Sequence, residues 1–284
     1  LKLTIIIPTY NRKDNIGRVL YCLKNQEIQP QHTVKTILVD DGSDDGTEEI
    51  ALKGILPKLT YIKRPREHDW NASKPRNQGA RAADTDTDAY YFLDSDVMLP
   101  PNRIQRLIDD YLQDPDPNRV IIGPYHYMQT PLIWTPRWYE SDIANYQQDV
   151  RWQSFLDHPV EEKNTGISYG LSCFGGSLLV PRKLFFKAGK YPEDIGAGCE
   201  DGSFGLQLVQ TGAVFSLDKE LLGWHHEHEV ISARREKIPE FVKIINLRHF
   251  GSEDPDYGLI EASKEAYESW KISWVPPIEW QQEV

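Results

Sequence analysis

The chain has few cysteines, no clustered positive charge and no long apolar run. Its 284 residues include three cysteines, Cys22, Cys173 and Cys199. Their odd number and lack of metal-ligand spacing argue against a disulfide framework and point to buried thiols in a reducing, cytoplasmic setting. Thirty-two Lys and Arg face 43 Asp and Glu, for a formal net charge of −11 and a pI near 5.2. Nucleic acids and anionic membranes are bound through grouped cations, so neither is an expected partner. No apolar run approaches the roughly 18 residues of a membrane span, and Leu3 to Pro8 is too short and wrongly flanked for a signal peptide. The chain starts at Leu1 rather than Met, which leaves peripheral membrane attachment through a segment outside these residues open. Internal repeats and low-complexity tracts are missing too. What remains, 39% hydrophobic and 26% charged, suits one large globular domain or two small ones with an ample core.

Strand-like and helix-like stretches alternate over the first 125 residues, the pattern of a parallel sheet covered by helices. Leu3 to Ile7 reads as a buried strand. Asn11 offers an N-cap, and Ile16, Val19, Leu20 and Leu23 recur at helical spacing, which predicts a helix over Arg12 to Asn25. Strands are expected at Thr36 to Val39, Thr60 to Lys63 and Tyr90 to Leu93. Helices are expected around Pro75 to Ala83 and along the Ile104, Leu107, Ile108, Tyr111 face. From about residue 125 the chain turns aromatic and irregular (Tyr125, Tyr127, Trp134, Trp138, Tyr139, Tyr146, Trp152, Phe155), as binding loops or packed loops do. Further strands are expected at Ser177 to Val180, Val214 to Leu217 and Leu221 to Trp224. Helices are expected at Arg182 to Ala188, from Glu200, and near Ile238 to Leu247.

Two acids stand one residue apart in Asp94-Ser95-Asp96, where the fourth strand opens into a loop. Hard divalent cations such as Mn2+ or Mg2+ favour such oxygen ligands, and a cation there can neutralise a diphosphate. A chain this acidic needs a local cation or a few placed Lys and Arg to accept an anionic substrate. Arg76 supplies a planar fork for phosphate oxygens or for orienting an acidic loop. Arg12 can do either, or form a surface ion pair. Ligands in open α/β sheets settle beyond the carboxyl ends of the strands, and Pro8-Thr9-Tyr10, Asp41 and Asp94-Ser95-Asp96 all follow predicted strands. Asp41 can accept an N–H from a ligand or, with Asp40, shape the turn. Glu200 and Asp201 open a helix, where carboxylates also serve as caps.

Ile5-Ile6-Ile7-Pro8-Thr9-Tyr10-Asn11-Arg12, Val39-Asp40-Asp41-Gly42-Ser43, Arg76-Asn77-Gln78-Gly79 and Phe92-Leu93-Asp94-Ser95-Asp96 follow one another in an order that resembles family 2 glycosyltransferases of the GT-A fold. Phe174-Gly175-Gly176-Ser177, Gly198-Cys199-Glu200-Asp201 and His225 continue the likeness. They are similar to bacterial chondroitin-polymerase-type domains and, more distantly, to polypeptide N-acetylgalactosaminyltransferases.

The resemblance implies a GT-A, mostly parallel central sheet flanked by helices, with a smaller acceptor-side sheet. It divides the chain into a nucleotide-sugar half (1–125), an acceptor and catalytic half (126–230) and a C-terminal helix and tail (231–284). It also implies a metal-dependent inverting enzyme moving a sugar from a UDP-sugar to a carbohydrate or other hydroxyl acceptor. Pro8, Thr9, Tyr10, Arg12, Asp41, Arg76, Asp94, Ser95 and Asp96 would bind donor, and Asp94, Asp96 and His225 the Mn2+ or Mg2+, with His226 and His228 as substitutes. Asp201 would be the general base and Glu200 an acceptor contact. A retaining GT-A enzyme, a sugar nucleotidyltransferase and a non-catalytic carbohydrate-binding module are the alternatives. Pro8-Thr9-Tyr10-Asn11 stands where a nucleotidyltransferase has a glycine-rich phosphate loop.

Overall fold

The computed structural model describes residues 1–67, 71–128, 146–147, 170, 173, 175–196, 199–218, 221, 223–226 and 238–251. Trp134, Trp138, Tyr139, Trp152, Phe155, Phe174, Gly198, His228 and the Trp-rich tail lie outside them. In chain order the strands are β1 (Lys2–Thr9), β2 (Thr33–Asp40), β3 (Leu59–Lys63), β4 (Ala89–Leu93), β5 (Val97–Met98), β6 (Arg119–Ile122), β7 (Tyr125–Met128), β8 (Tyr146–Gln147), β9 (Ser177–Pro181), β10 (Val214–Leu217) and β11 (Gly223–His226). The helices are α1 (Lys13–Lys24), α2 (Thr47–Ala51), α3 (Ser73–Ala82), α4 (Arg103–Gln113), α5 (Arg182–Lys187), α6 (Glu200–Gln210) and α7 (Ile238–Phe250).

Seven strands form the main sheet in the order β10-β6-β9-β4-β1-β2-β3. Strands β1 to β4 run parallel, and β9 enters antiparallel between β4 and β6. The smaller sheet has the order β5-β11-β7-β8. A strand apolar on both faces needs cover on both, and β1 has it. Ile5 and Ile7 pack into the cluster containing Ile16, Val19 and Leu20 of α1 and Ile104, Leu107 and Ile108 of α4. Ile6, pointing the other way, joins Ala80 of α3, Phe185 of α5 and Phe204 of α6. Tyr91 and Leu93 of β4 alternate with Tyr90 and Phe92 in the same manner. Among the described residues no helix is long and apolar enough to cross a membrane.

The strands and helices expected in the first 113 residues lie within a few positions of the observed ones, β5 (Val97–Met98) has no counterpart among them, and along the whole chain two further differences bear on the site. Asn11 does not cap α1; it takes a positive φ of 48°, and Arg12 occupies the cap position without a side-chain cap. The helix N-terminus is satisfied from outside by the loop after β2. Arg12 N–H donates to Thr47 Oγ1 (2.9 Å) and Lys13 N–H to Asp45 Oδ2 (2.9 Å). Asn11 N–H donates to Ser43 Oγ (2.9 Å). Orphan N–H groups thus bind the loop of Asp40 to Thr47 to the β1–α1 turn. The second difference is that Tyr125 to Met128, expected to be irregular, is β7. Its pairing with β11 in parallel rescues a segment whose composition alone did not mark it as a strand.

Helix α3 lies unusually close to β1. A Cβ placed on Gly79 would come within 2.5 Å of Ile6 Cγ2 and 3.4 Å of Val39 Cγ2. Gly79→Ala should therefore overpack the helix–sheet contact and cost about 1–3 kcal/mol of stability. Urea unfolding of the two proteins checks this, and an unchanged midpoint would contradict the close approach.

Candidate active site

Since β1, β2 and β4 are parallel, Thr9, Asp40 and Leu93 end on the same edge of the sheet. The residues that follow them, Tyr10, Asp41 and Asp94-Ser95-Asp96, are delivered to that edge together. Asp41 N–H donates to Thr9 O (2.9 Å). Asp40 is fully buried and serves the turn, accepting from Ser43 N–H (2.8 Å) and Tyr61 O–H (2.7 Å). Asp41 pairs with Arg64, and Arg66 NH1 lies 3.6 Å from its Oδ2. Burial raises the Asp41 carboxyl above its ordinary range, with Arg64 and Arg66 pulling against that rise. The Arg66 guanidinium also stacks over the Tyr10 ring, 3.4 Å from its centroid.

At the centre of the edge is Arg76, 2% exposed on α3. It reaches three carboxylates: Asp94 Oδ1 (3.0 Å from NH2), Asp201 Oδ1 (2.8 Å from NH1) and Glu200 Oε1 (3.5 Å from NH1). Burial works against its charge, but Asp201, Asp94 and Glu200 hold it protonated well beyond the usual arginine range. Glycine makes the close contact possible. A Cβ on Gly175 would stand 2.4 Å from Arg76 Cζ and 2.7 Å from Asp201 Oδ1, and one on Gly176 2.8 Å from Asp94 Oδ2.

Glu200 and Asp201 occupy the first turn of α6, where the helix dipole favours negative charge. Burial nevertheless pushes the Asp201 carboxyl up to about 7, with Glu200 and Asp94 adding to the rise and Arg76 opposing it. The folded chain thus binds this proton more tightly than the unfolded one. The stability contribution is present below pH 3.8 and is lost as the pH climbs through about 7.

Asp96 faces the other way from Asp94. Its Oδ2 meets Arg12 Nε (3.3 Å) and its Oδ1 lies 3.3 Å from His225 Nε2. His225 is set by β11, its ring stacked on Tyr125 (5.4 Å between centroids) and edge-on to Tyr127 (5.1 Å). His226 N–H donates to Asp96 O (2.9 Å), and strand alternation turns the His226 side chain to the opposite face from His225. His228 lies outside the described residues. Of the three expected metal ligands, Asp96 and His225 come together while Asp94 is engaged by Arg76. Among the described residues no group of three or more His, Cys, Asp or Glu is arranged to hold a metal ion.

The sequence reading missed Arg64 and Arg66, whose signal is the basic step Lys63-Arg64-Pro65-Arg66 directly after β3 in an acidic chain.

A mostly parallel sheet with a carboxylate-lined edge, and a second small sheet beside it, is the GT-A architecture that the sequence resemblance implies. The chain matches the family described as Glycosyl transferase family 2 over residues 4–178, more than half its length, and belongs to that family. It is a glycosyltransferase. Over 245 residues it is 27% identical to chondroitin synthase of Escherichia coli, covering 79% of this chain and 34% of that protein. Identity to hyaluronan synthase of Pasteurella multocida is 27% over 246 residues, covering 79% and 24%. The chain therefore spans about a third of the length of the first of these relatives and about a quarter of the second. The structure of S. aureus TarS 1-349 in complex with UDP-GlcNAc shares the fold, with a TM-score of 0.65, 16% identity, and coverage of 96% of this chain and 79% of that one.

Removing the shared cation should expose how far the site depends on it. Arg76→Gln removes the cation that Asp94, Glu200 and Asp201 share and should destabilise the protein by about 3–5 kcal/mol at pH 8. The deficit should shrink toward pH 5 as carboxylates take up protons. Denaturant unfolding at the two pH values measures both, and a pH-independent loss would count against the carboxylate cluster as its source.

Proposed function

We propose that this glycosyltransferase carries a sugar from a UDP-sugar to an acceptor hydroxyl with inversion at the anomeric carbon. The observation that supports it is the single Arg76 guanidinium joining Asp94, at the end of a donor-side strand, to Asp201, at the start of α6. A diphosphate beside Asp94 and Asp96 and a hydroxyl beside Asp201 would stand next to each other, as one displacement requires. The structure with UDP-GlcNAc named above has the same fold, and the likeness to chondroitin and hyaluronan synthases favours a carbohydrate acceptor.

Pro8, Thr9 and Tyr10 wall the uracil pocket and Asp41 accepts the ring N–H, in exchange for part of its pairing with Arg64 and Arg66. Arg66 leaves the face of Tyr10 or covers the base laid on it. Arg12 and Arg76 turn their donors toward phosphate oxygens, Ser95 lies between the two acids, and Glu200 orients the acceptor. Asp201 is the base: a carboxyl near 7 is partly ionised at neutral pH and strong enough to take a hydroxyl proton as the new bond forms.

A divalent cation completes this reading, and the fit is to two side chains. Asp96 and His225, 3.3 Å apart, would hold it, with Asp94 available through whichever oxygen Arg76 releases. A nitrogen donor beside carboxylates suits Mn2+ better than Mg2+. When bound, such a cation supplies the positive charge that stabilises the departing nucleoside diphosphate.

Calorimetry with UDP, with and without Mn2+, tests the donor site. Asp96→Ala should abolish the Mn2+-dependent part of the affinity, and an increment that survives would remove Asp96 from the metal site. Asp201→Asn should keep UDP affinity within about twofold and cut transfer by about 10²–10⁴-fold. In the native enzyme kcat/KM should rise with pH to a plateau, with a midpoint near 7. Full turnover by Asp201→Asn would reduce Asp201 to a cap, and the anomeric configuration of the product separates inversion from retention.

A further inference from the structure

Tyr191 is 2% exposed and touches every element that delivers the acidic centre. Its backbone is clamped to Asn77, the neighbour of Arg76: Asn77 Nδ2 donates to Tyr191 O (2.8 Å) and Tyr191 N–H donates to Asn77 Oδ1 (3.1 Å). Its ring packs on Phe204 of α6 (4.1 Å between centroids, planes at 31°), one turn beyond Asp201. Phe92 of β4, two residues before Asp94, meets it edge-on at 5.1 Å. The Arg76 guanidinium carbon lies 5.0 Å from the centroid of the same ring. Among the described residues the Tyr191 hydroxyl and Arg76 Nε, both buried, find no hydrogen-bond partner. The contact between the two side chains is therefore made by the π face and not by the hydroxyl.

We propose that Tyr191 is a positioning residue for sugar transfer: its ring face holds the Arg76 guanidinium, by a cation–π contact, in the orientation that spans Asp94 and Asp201. This rests on the functional reading above. A guanidinium with three carboxylates in reach has several ion pairs open to it, and Coulomb attraction alone selects none. A ring within about 6 Å of the cation, where the cation itself is buried, favours the orientations that keep the guanidinium over its face. The backbone clamp through Asn77 and the stack on Phe204 prevent the ring from following Arg76 elsewhere.

The test keeps the ring's shape and weakens its π face. Tyr191→Phe is the reference, and Tyr191 is then replaced by mono- and trifluorinated phenylalanine in the full chain. For each protein the exchange rate of the Arg76 Nε–H is measured by NMR without ligand. UDP affinity, the thermal midpoint and the initial rate of sugar transfer from the UDP-sugar are measured alongside. Tyr191→Phe should retain turnover and raise the midpoint by a few degrees, because it deletes an unsatisfied buried hydroxyl. Along the fluorinated series Arg76 exchange should accelerate and kcat fall by about tenfold, a loss larger than any loss of UDP affinity through the donors Arg76 offers to phosphate.

A flat exchange series overturns the hold on Arg76. Faster exchange with constant kcat overturns the role in transfer, and a loss in Tyr191→Phe as large as that in the trifluorinated protein would assign the effect to the hydroxyl. A native protein that binds UDP and transfers nothing counts against the functional reading, while the exchange series still decides whether the ring holds the arginine.

Discussion

One buried positive charge organises this protein's acidic centre. Three carboxylates from two distant stretches of the chain would repel one another if brought together in an apolar interior, and Arg76 offsets that repulsion with short contacts to each. Its position on α3 follows from the close seat of that helix on β1, where Gly79 leaves no gap. Because the compensation is shared, the ionisation of Asp201 depends on where the guanidinium lies, and so on every residue that fixes it. The net acidity of the sequence is thus met at the site by Arg76, by Arg12 beside Asp96 and, near Asp41, by Arg64 and Arg66.

The loop after β2 serves a second purpose. Its Ser43, Asp45 and Thr47 satisfy the start of α1, so the turn carrying Asp41 and the turn carrying Tyr10 and Arg12 form one hydrogen-bonded unit. Arg12 reaches Asp96 from that unit, and Asp96 in turn meets His225 of the small sheet. Residues far apart in sequence are therefore linked by a chain of polar contacts running along the sheet edge, with the apolar clusters behind it supplying rigidity.

Much of this architecture is legible in the sequence. The isoleucines of β1, the helical spacing of Ile16, Val19, Leu20 and Leu23, and the placing of Asp41, Asp94 and Asp96 after strands are periodic or positional signals, and the structure brings these acids to one edge as that placing implies. What was not legible depended on distant partners. Tyr125 to Met128 becomes a strand only because β11 pairs with it. Asn11 loses its expected capping role to a loop thirty-odd residues away. That Arg76 and Arg12 orient acidic residues is within what their place in the sequence suggests, but the opposed directions of Asp94 and Asp96 depend on which of the two each meets, and local composition does not assign the partners. Tyr191 belongs to the same category, an ordinary aromatic whose importance comes from what folds around it.

The antiparallel entry of β9 has a consequence for how the chain is made. The parallel unit of β1, β2 and β3 can assemble early during synthesis, but one side of β4 finds its partner only when Ser177–Pro181 emerges from the ribosome. Until then the backbone of Tyr90–Leu93 is an open apolar edge, the kind of surface that recruits a strand from another nascent chain. Asp94 sits at the end of that edge and Gly176 immediately before its eventual partner, so the edge closes first and the acidic centre is completed later still, when Glu200 and Asp201 follow. A truncated or stalled chain would be both inactive and adhesive.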